Sequence, residues 1–357
     1  MKFKLQNNPN IERCPFSQNL EVYELKGIIL KSGYLILAFM TVLLLFRSFM
    51  VAFSEGVVLA TGLFAIVLIA LLYEKRREWI KNLAKKTIKG TDFIKTDFFN
   101  FLSVVVGALI CFTLSVNFDL GAVVASGLVG IIVALVLPKY GPPTYCGAFV
   151  GMSSVALLPN QAYILLAAVI AGAVFVASKA VFNGFGGKLG TIAWTGAVCA
   201  ALLTGQNLLT DPIPAFNVSV LIVLYAVIGA VVTMVISLRF KHGPVMASGI
   251  VALTAGLLLP VIHPEVGGQL AVMVTCATYA GMSNYERVPN EAYMAIAALF
   301  AGLIFIFSQP FIQGGGGKLG TTAFGSVIAI RGMIEFLKIV KERKTQKSKS
   351  RKTEYES

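Results

Sequence analysis

Residues 146–196 read CGAFVGMSSVALLPNQAYILLAAVIAGAVFVASKAVFNGFGGKLGTIAWTG, and 130 positions later residues 276–326 read CATYAGMSNYERVPNEAYMAIAALFAGLIFIFSQPFIQGGGGKLGTTAFGS. Aligned without a gap the two stretches agree at 22 of 51 positions, so the chain contains an internal repeat. Three blocks carry most of the agreement: Gly151-Met152-Ser153 with Gly281-Met282-Ser283, Pro159-Asn160 through Tyr163 with Pro289-Asn290 through Tyr293, and Gly186-Gly187-Lys188-Leu189-Gly190-Thr191 with Gly316-Gly317-Lys318-Leu319-Gly320-Thr321. Upstream the offset becomes 122, pairing Phe118 with Phe240, Ala125-Ser126-Gly127 with Ala247-Ser248-Gly249, and Pro138 with Pro260. The second copy is therefore eight residues longer, and the natural place for them is a loop near residues 263–268.

Around the repeats the composition fixes the solvent. Of 357 residues 57% are apolar and 13% are charged, against about 25% charged in soluble domains. Residues 99–330 hold only 7 Lys/Arg and 5 Asp/Glu, which makes that region a membrane domain. The net charge of +13 comes mostly from the ends, in Lys75, Arg76, Arg77, Lys81, Lys85, Lys86 and Lys89 and again in residues 338–352. Basic runs beside membrane spans mark the cytoplasmic face and anionic lipid, and neither run has the aromatic interleaving of a nucleic-acid site. No nucleic-acid partner is expected. Five cysteines (Cys14, Cys111, Cys146, Cys199, Cys276), without a C-x-x-C pair, imply neither a disulfide framework nor a metal site. The polar first 26 residues do not read as a cleaved signal peptide.

Each copy contains five apolar segments, helical because strands in lipid would alternate polar and apolar residues. They run near 99–118, 120–138, 144–158, 161–182 and 190–204, then near 216–238, 244–262, 268–283, 291–308 and 320–337, after two spans near 30–53 and 56–73. The expected fold is an all-α integral membrane bundle, two N-terminal helices followed by a five-plus-five repeat with short or broken helices. Its divisions are 1–98 (cytoplasmic N-terminus, transmembrane hairpin and basic juxtamembrane segment), 99–210 (first repeat), 211–338 (second repeat) and 339–357 (basic cytoplasmic tail). The third and fifth segments of the first copy, about 15 residues or about 22 Å, fall short of a hydrocarbon core of about 30 Å. If the third segment is re-entrant the copies are parallel; if it crosses, they are inverted. With residues 74–98 cytoplasmic, five crossings put Lys139, Lys179, Lys188, Arg239, Lys241 and Arg287 inside and only Lys318 outside. Four crossings leave two inside and five outside, so the positive-inside rule favours inversion, with both termini cytoplasmic in the plasma membrane.

Two interruptions supply the candidate site residues. At the Gly-rich junctions, Gly186, Gly187, Lys188 and Thr191 with Gly316, Gly317, Lys318 and Thr321 offer bare N–H groups, a lysine and a helix N-terminus, which together suit an anion. The alternative is a tight turn whose lysine snorkels to the headgroups while glycine permits close packing. Neither is a phosphate-binding Walker loop, because Leu follows each lysine. At the other junction, Ser153, Asn160 and Tyr163 with Ser283, Asn290 and Tyr293 offer hydroxyl and amide groups, and Pro159 and Pro289 suit the first turn of the fourth segments. The second copy replaces Gln161 by Glu291 and adds Glu286; a carboxylate in a membrane domain is a functional candidate, unless the loop lies in the cytoplasmic interface. His242 and His263 read as solvated loop histidines.

Tyr145-Cys146-Gly147-Ala148-Phe149-Val150-Gly151-Met152 resembles the short Tyr/Gly-rich helix repeated in urea channels, which are also five-plus-five inverted proteins. The resemblance covers eight residues of one copy, and Thr278-Tyr279-Ala280-Gly281 departs from it in the other. It implies a urea or small-amide channel as one alternative. Paired broken helices of inverted repeats commonly surround a solute at the midplane, so the principal expectation is a transporter or channel for a small, anionic solute. Its partners are then the lipid bilayer, the solute and, possible for such a bundle, further copies in a homo-oligomer. A membrane enzyme or lipid-handling protein needs clustered acids, His or Cys, whereas Asp119, Asp211 and Glu265 are scattered. A repeat scaffold for assembling other membrane proteins is a third class. No catalytic residue, metal or cofactor is expected.

Overall fold

A computed structural model describes residues 15–84 and 95–355. Lys85, Lys86, Lys89, Cys14 and the first residues of the N-terminal segment lie outside the described residues. The described chain is all-helical: α1 (Pro15–Ser54), α2 (Val58–Ala84), α3 (Lys95–Phe112), α4 (Ala122–Val136), α5 (Gly141–Gly151), α6 (Gln161–Ala177), α7 (Lys188–Leu203), α8 (Phe216–Met234), α9 (Pro244–Ile262), α10 (Gly267–Gly281), α11 (Glu291–Phe307) and α12 (Lys318–Tyr355). Five stretches are long and apolar enough to cross a bilayer: Gly27–Ser54, Val58–Ile80, Lys95–Asn117, Phe216–Arg239 and Pro244–Ile262. Their outward faces carry bulky apolar side chains such as Phe39, Ile69, Ile110 and Leu224, as a lipid-facing surface requires.

The ten repeat helices match the ten apolar segments, with differences that have local causes. The third segment stops at Gly151, because residues 152–160 turn out of the helix. Eleven residues at about 1.5 Å give α5 a length of about 16 Å. The eight extra residues of the second copy do not form a loop. The connections between α4 and α5 and between α9 and α10 both have four residues, while α9 and α10 have 19 and 15 residues against 15 and 11 in α4 and α5. One turn is added to each helix, and Pro260 lies inside α9 where Pro138 opens a turn after α4. Pro159 and Pro289 lie outside the fourth helices: Asn160 and Asn290 are the N-caps, accepting hydrogen bonds from the backbone N–H of Ala162 (2.9 Å) and Tyr293 (3.0 Å).

Equivalent helices pack equivalently: α3 on α5 as α8 on α10, and α6 on α7 as α11 on α12. Between the copies α4 lies along α9, its own counterpart. There a Cβ on Gly127 would meet Leu253 and the Gly249 carbonyl, one on Gly249 would meet Ile131 and the Gly127 carbonyl, and one on Gly256 would meet Val123. As α4 advances, α9 recedes. α1 and α2 pack outside this core, with α2 running along α12.

Candidate functional site

Where the two copies meet, their Gly-rich junctions interlock. Gly187 and Gly317 cap α7 and α12 with φ of 81° and 92°, a left-handed conformation that disfavours any side chain. A Cβ on Gly187 would run into the Gly320 carbonyl and the backbone of Phe324; one on Gly317 would run into the Gly190 carbonyl and the backbone of Trp194. Ser153 and Ser283 fasten the arrangement crosswise. Gly316 N–H donates to Ser153 Oγ and Gly186 N–H to Ser283 Oγ, each at 3.0 Å. Ser154 N–H likewise donates to the Gly314 carbonyl and Asn284 N–H to the Gly184 carbonyl. The Thr191 and Thr321 hydroxyls turn back to the carbonyls of Gly187 and Gly317 (3.4 Å each), and Cys146 and Cys276 point their thiols at the carbonyls of Leu189 and Leu319.

The lysines that follow are not directed at headgroups. Lys188 Nζ donates to the Ser178 carbonyl (2.8 Å) and to Asn183 Oδ1 (3.1 Å); Lys318 Nζ donates to the Ser308 carbonyl (2.6 Å). Ser178 and Ser308 are the C-caps of α6 and α11, so each ammonium sits at the negative end of the preceding helix. An ammonium has three donors, and these bonds use two of them at Lys188.

A cavity of about 360 Å³ opens beside the first junction. Gly186, Gly187 and Lys188 line it with Lys179, Phe182, Phe185, Pro142 and Pro244, and its lining includes no carboxylate. Lys179 is paired with Asp97 at 2.7 Å. Phe149 and Tyr279, equivalent positions of the two copies, close its inner wall with ring centroids 4.2 Å apart. Gly316, Gly317 and Lys318 do not line it, so the two lysines are not gathered round one cavity.

The remaining candidates mostly hold the fold. Ser153 and Ser283 lock the junctions, Asn160 and Asn290 cap helices, and Tyr163 and Tyr293 pack half-buried against the core. Glu291 Oε1 accepts from Arg239 Nε at 2.7 Å, tying the start of α11 to the π-helical turn, Val235–Arg239, that follows α8. In the first copy Gln161 does the same, donating to Thr113 Oγ1 at 3.0 Å. Because exposed ion pairs contribute little, Glu291→Gln should leave the unfolding midpoint in detergent nearly unchanged. A large drop would assign this carboxylate more than a surface tie. Glu286 is exposed, and His263, a half-exposed residue in the connection after α9, also pairs with the Tyr225 hydroxyl at 2.9 Å.

The sequence reading missed a second polar centre. Glu74, Arg77 and Glu78 on α2 meet Arg287 from the α10–α11 connection and Arg331 and Glu335 on α12. Its signal was present, since i, i+3, i+4 spacing puts the three α2 residues on one face of the helix. No protein-family model, curated protein or solved structure matches this chain. The fold and composition define it as a helical protein with five segments long and apolar enough to span a membrane among the described residues.

Proposed function

We propose that this protein is a multi-pass membrane transporter or channel for a small anionic solute, held at the junction of two inverted repeats. One observation carries the reading: a cavity between the copies is lined by Lys188, which has a hydrogen bond to spare, and by the glycines of the first junction, with no carboxylate in its lining. An anion is the solute such a wall favours, each charge-assisted hydrogen bond contributing roughly 1.5–3 kcal/mol. A neutral solute such as urea leaves the ammonium without a counter-charge.

The inverted layout has support beyond the loop charges. Lys179 pairs with Asp97, and Gln161 with Thr113. Five crossings per copy place each of these pairs on one face of the membrane, and four would place them on opposite faces. The antiparallel run of α4 along its counterpart α9 agrees. In this scheme both termini are cytoplasmic, and so is the part of the cavity lining at Lys179, Pro142 and Pro244.

Two experiments test the proposal. Flux of inorganic and small organic anions into liposomes containing the purified protein should exceed that into empty liposomes, and no such excess for any anion removes the reading. Single cysteines at Asp211 and Glu265 should react with an impermeant thiol reagent from outside intact cells, and those at Lys139 and Lys241 should not; outside labelling at Lys241 but not Asp211 would reverse the topology.

A further inference from the structure

The charged centre between α2 and α12 has no part in the proposed solute cavity, and its ion pairs are shared unequally. Glu335 collects Arg77 Nη1 at 2.8 Å, Arg331 Nη2 at 2.6 Å and Lys338 Nζ at 3.2 Å. Glu78 holds Arg287 Nη1 at 2.7 Å. Glu74 is left with the least. It is fully buried and neither carboxyl oxygen accepts a hydrogen bond; Arg77 Nη1 lies between the two acids, 3.2 Å from Glu74 and 2.8 Å from Glu335, with hydrogen-bond geometry toward neither. On the α1 side, the Tyr34 hydroxyl is spent on the Lys75 carbonyl (2.6 Å), and Lys75 Nζ is turned to the Ala38 carbonyl (2.7 Å). On the α12 side, the backbone at Gly332 closes over Ala70 and Glu74.

A carboxylate buried without donors is costly, whereas the neutral acid is tolerated. We propose that Glu74 is a proton-binding site, occupied while Arg77 leans to Glu335 and vacated when Arg77 turns its N–H groups onto Glu74. The step needs no other reactant: the carboxylate takes one proton to become the acid, and Arg77 keeps one carboxylate partner in either state. One turn along α2 the centre is bonded to the cavity, because Arg287, held by Glu78, also donates through Nε to the Asn183 carbonyl (3.0 Å), and Asn183 Oδ1 receives Lys188. Resting on the transport reading, the proton becomes the coupling ion of that site; the proton site itself does not depend on it.

Infrared difference spectra of the full chain in lipid, recorded across a pH change with no solute present, test the assignment. A protonated-carboxyl C=O band should grow on acidification and be missing in Glu74→Gln. A second variant covers the case in which that one fails to fold: Glu335→Gln releases Arg77 and Arg331 to Glu74, so the band should titrate at a pH lower by about one unit or more, a tenfold loss of proton affinity. A band that persists in folded Glu74→Gln, or a midpoint unmoved in Glu335→Gln, overturns the site. Failure of every anion flux assay would leave this result standing, so the two readings fail separately.

Discussion

Lys188→Ala is expected to raise the half-saturating anion concentration about tenfold to a hundredfold, and Lys318→Ala to leave it within about threefold, because a factor of ten corresponds to about 1.4 kcal/mol and only one of the two ammonium groups lines the cavity. Lys188 spends two donors on Ser178 and Asn183 and keeps one for a ligand, so its loss removes a charge-assisted hydrogen bond. Lys318 is buried against the Ser308 carbonyl at the end of α11. Removing it costs one charge-assisted hydrogen bond, about 1.5–3 kcal/mol, while the Phe311 N–H still donates to that carbonyl, and lowers the unfolding midpoint. The asymmetry is the informative part. Concentration dependence of flux and thermal unfolding on the same preparations separate the outcomes: equal affinity losses would mean that both lysines reach the solute, and no affinity loss in Lys188→Ala would return it to a helix cap.

The periodic parts of the molecule were legible in the sequence and the long-range parts were not. The offset of 130 and the apolar runs located α3 to α12, since a helix in lipid must satisfy its own backbone and so announces itself by composition. The insertion was misplaced because α9 and α10 absorb it as a turn each, which sequence length alone cannot distinguish from a loop. The Gly-Gly-Lys blocks lie at the crossing of the two copies, but their sequence does not show what each packs against. Whether Lys188 faces a solute or the carbonyl of Ser178 depends on where α6 ends, ten residues earlier. Glu74, Arg77 and Glu78 were lost in a basic run read as juxtamembrane, because their partners Arg287, Arg331 and Glu335 lie more than 200 positions away.

Gly187→Ala and Gly317→Ala should each destabilise the protein by about 2–5 kcal/mol, enough to consume much of a typical margin of about 5–15. Two costs add at these positions. A left-handed backbone costs a side chain about 1–2 kcal/mol, and forcing a methyl group against the backbone of the other copy's helix costs about 1–3 more. Gly205→Ala isolates the first cost, since its φ is 67° and a Cβ there would meet nothing within 4 Å. That variant should lose only about 1–2 kcal/mol. Thermal unfolding of the three variants, with elution profiles to exclude aggregates, checks the ranking; if the junction variants match Gly205→Ala, the two loops slide apart freely and the crossing does not brace the fold. The double variant sharpens the test. Both methyl groups press on the same crossing of α7 and α12 at Gly190 and Gly320, so the displacement that accommodates the first makes room for the second. The double variant should therefore cost less than the sum of the single ones, a non-additivity that two independent turns would not show.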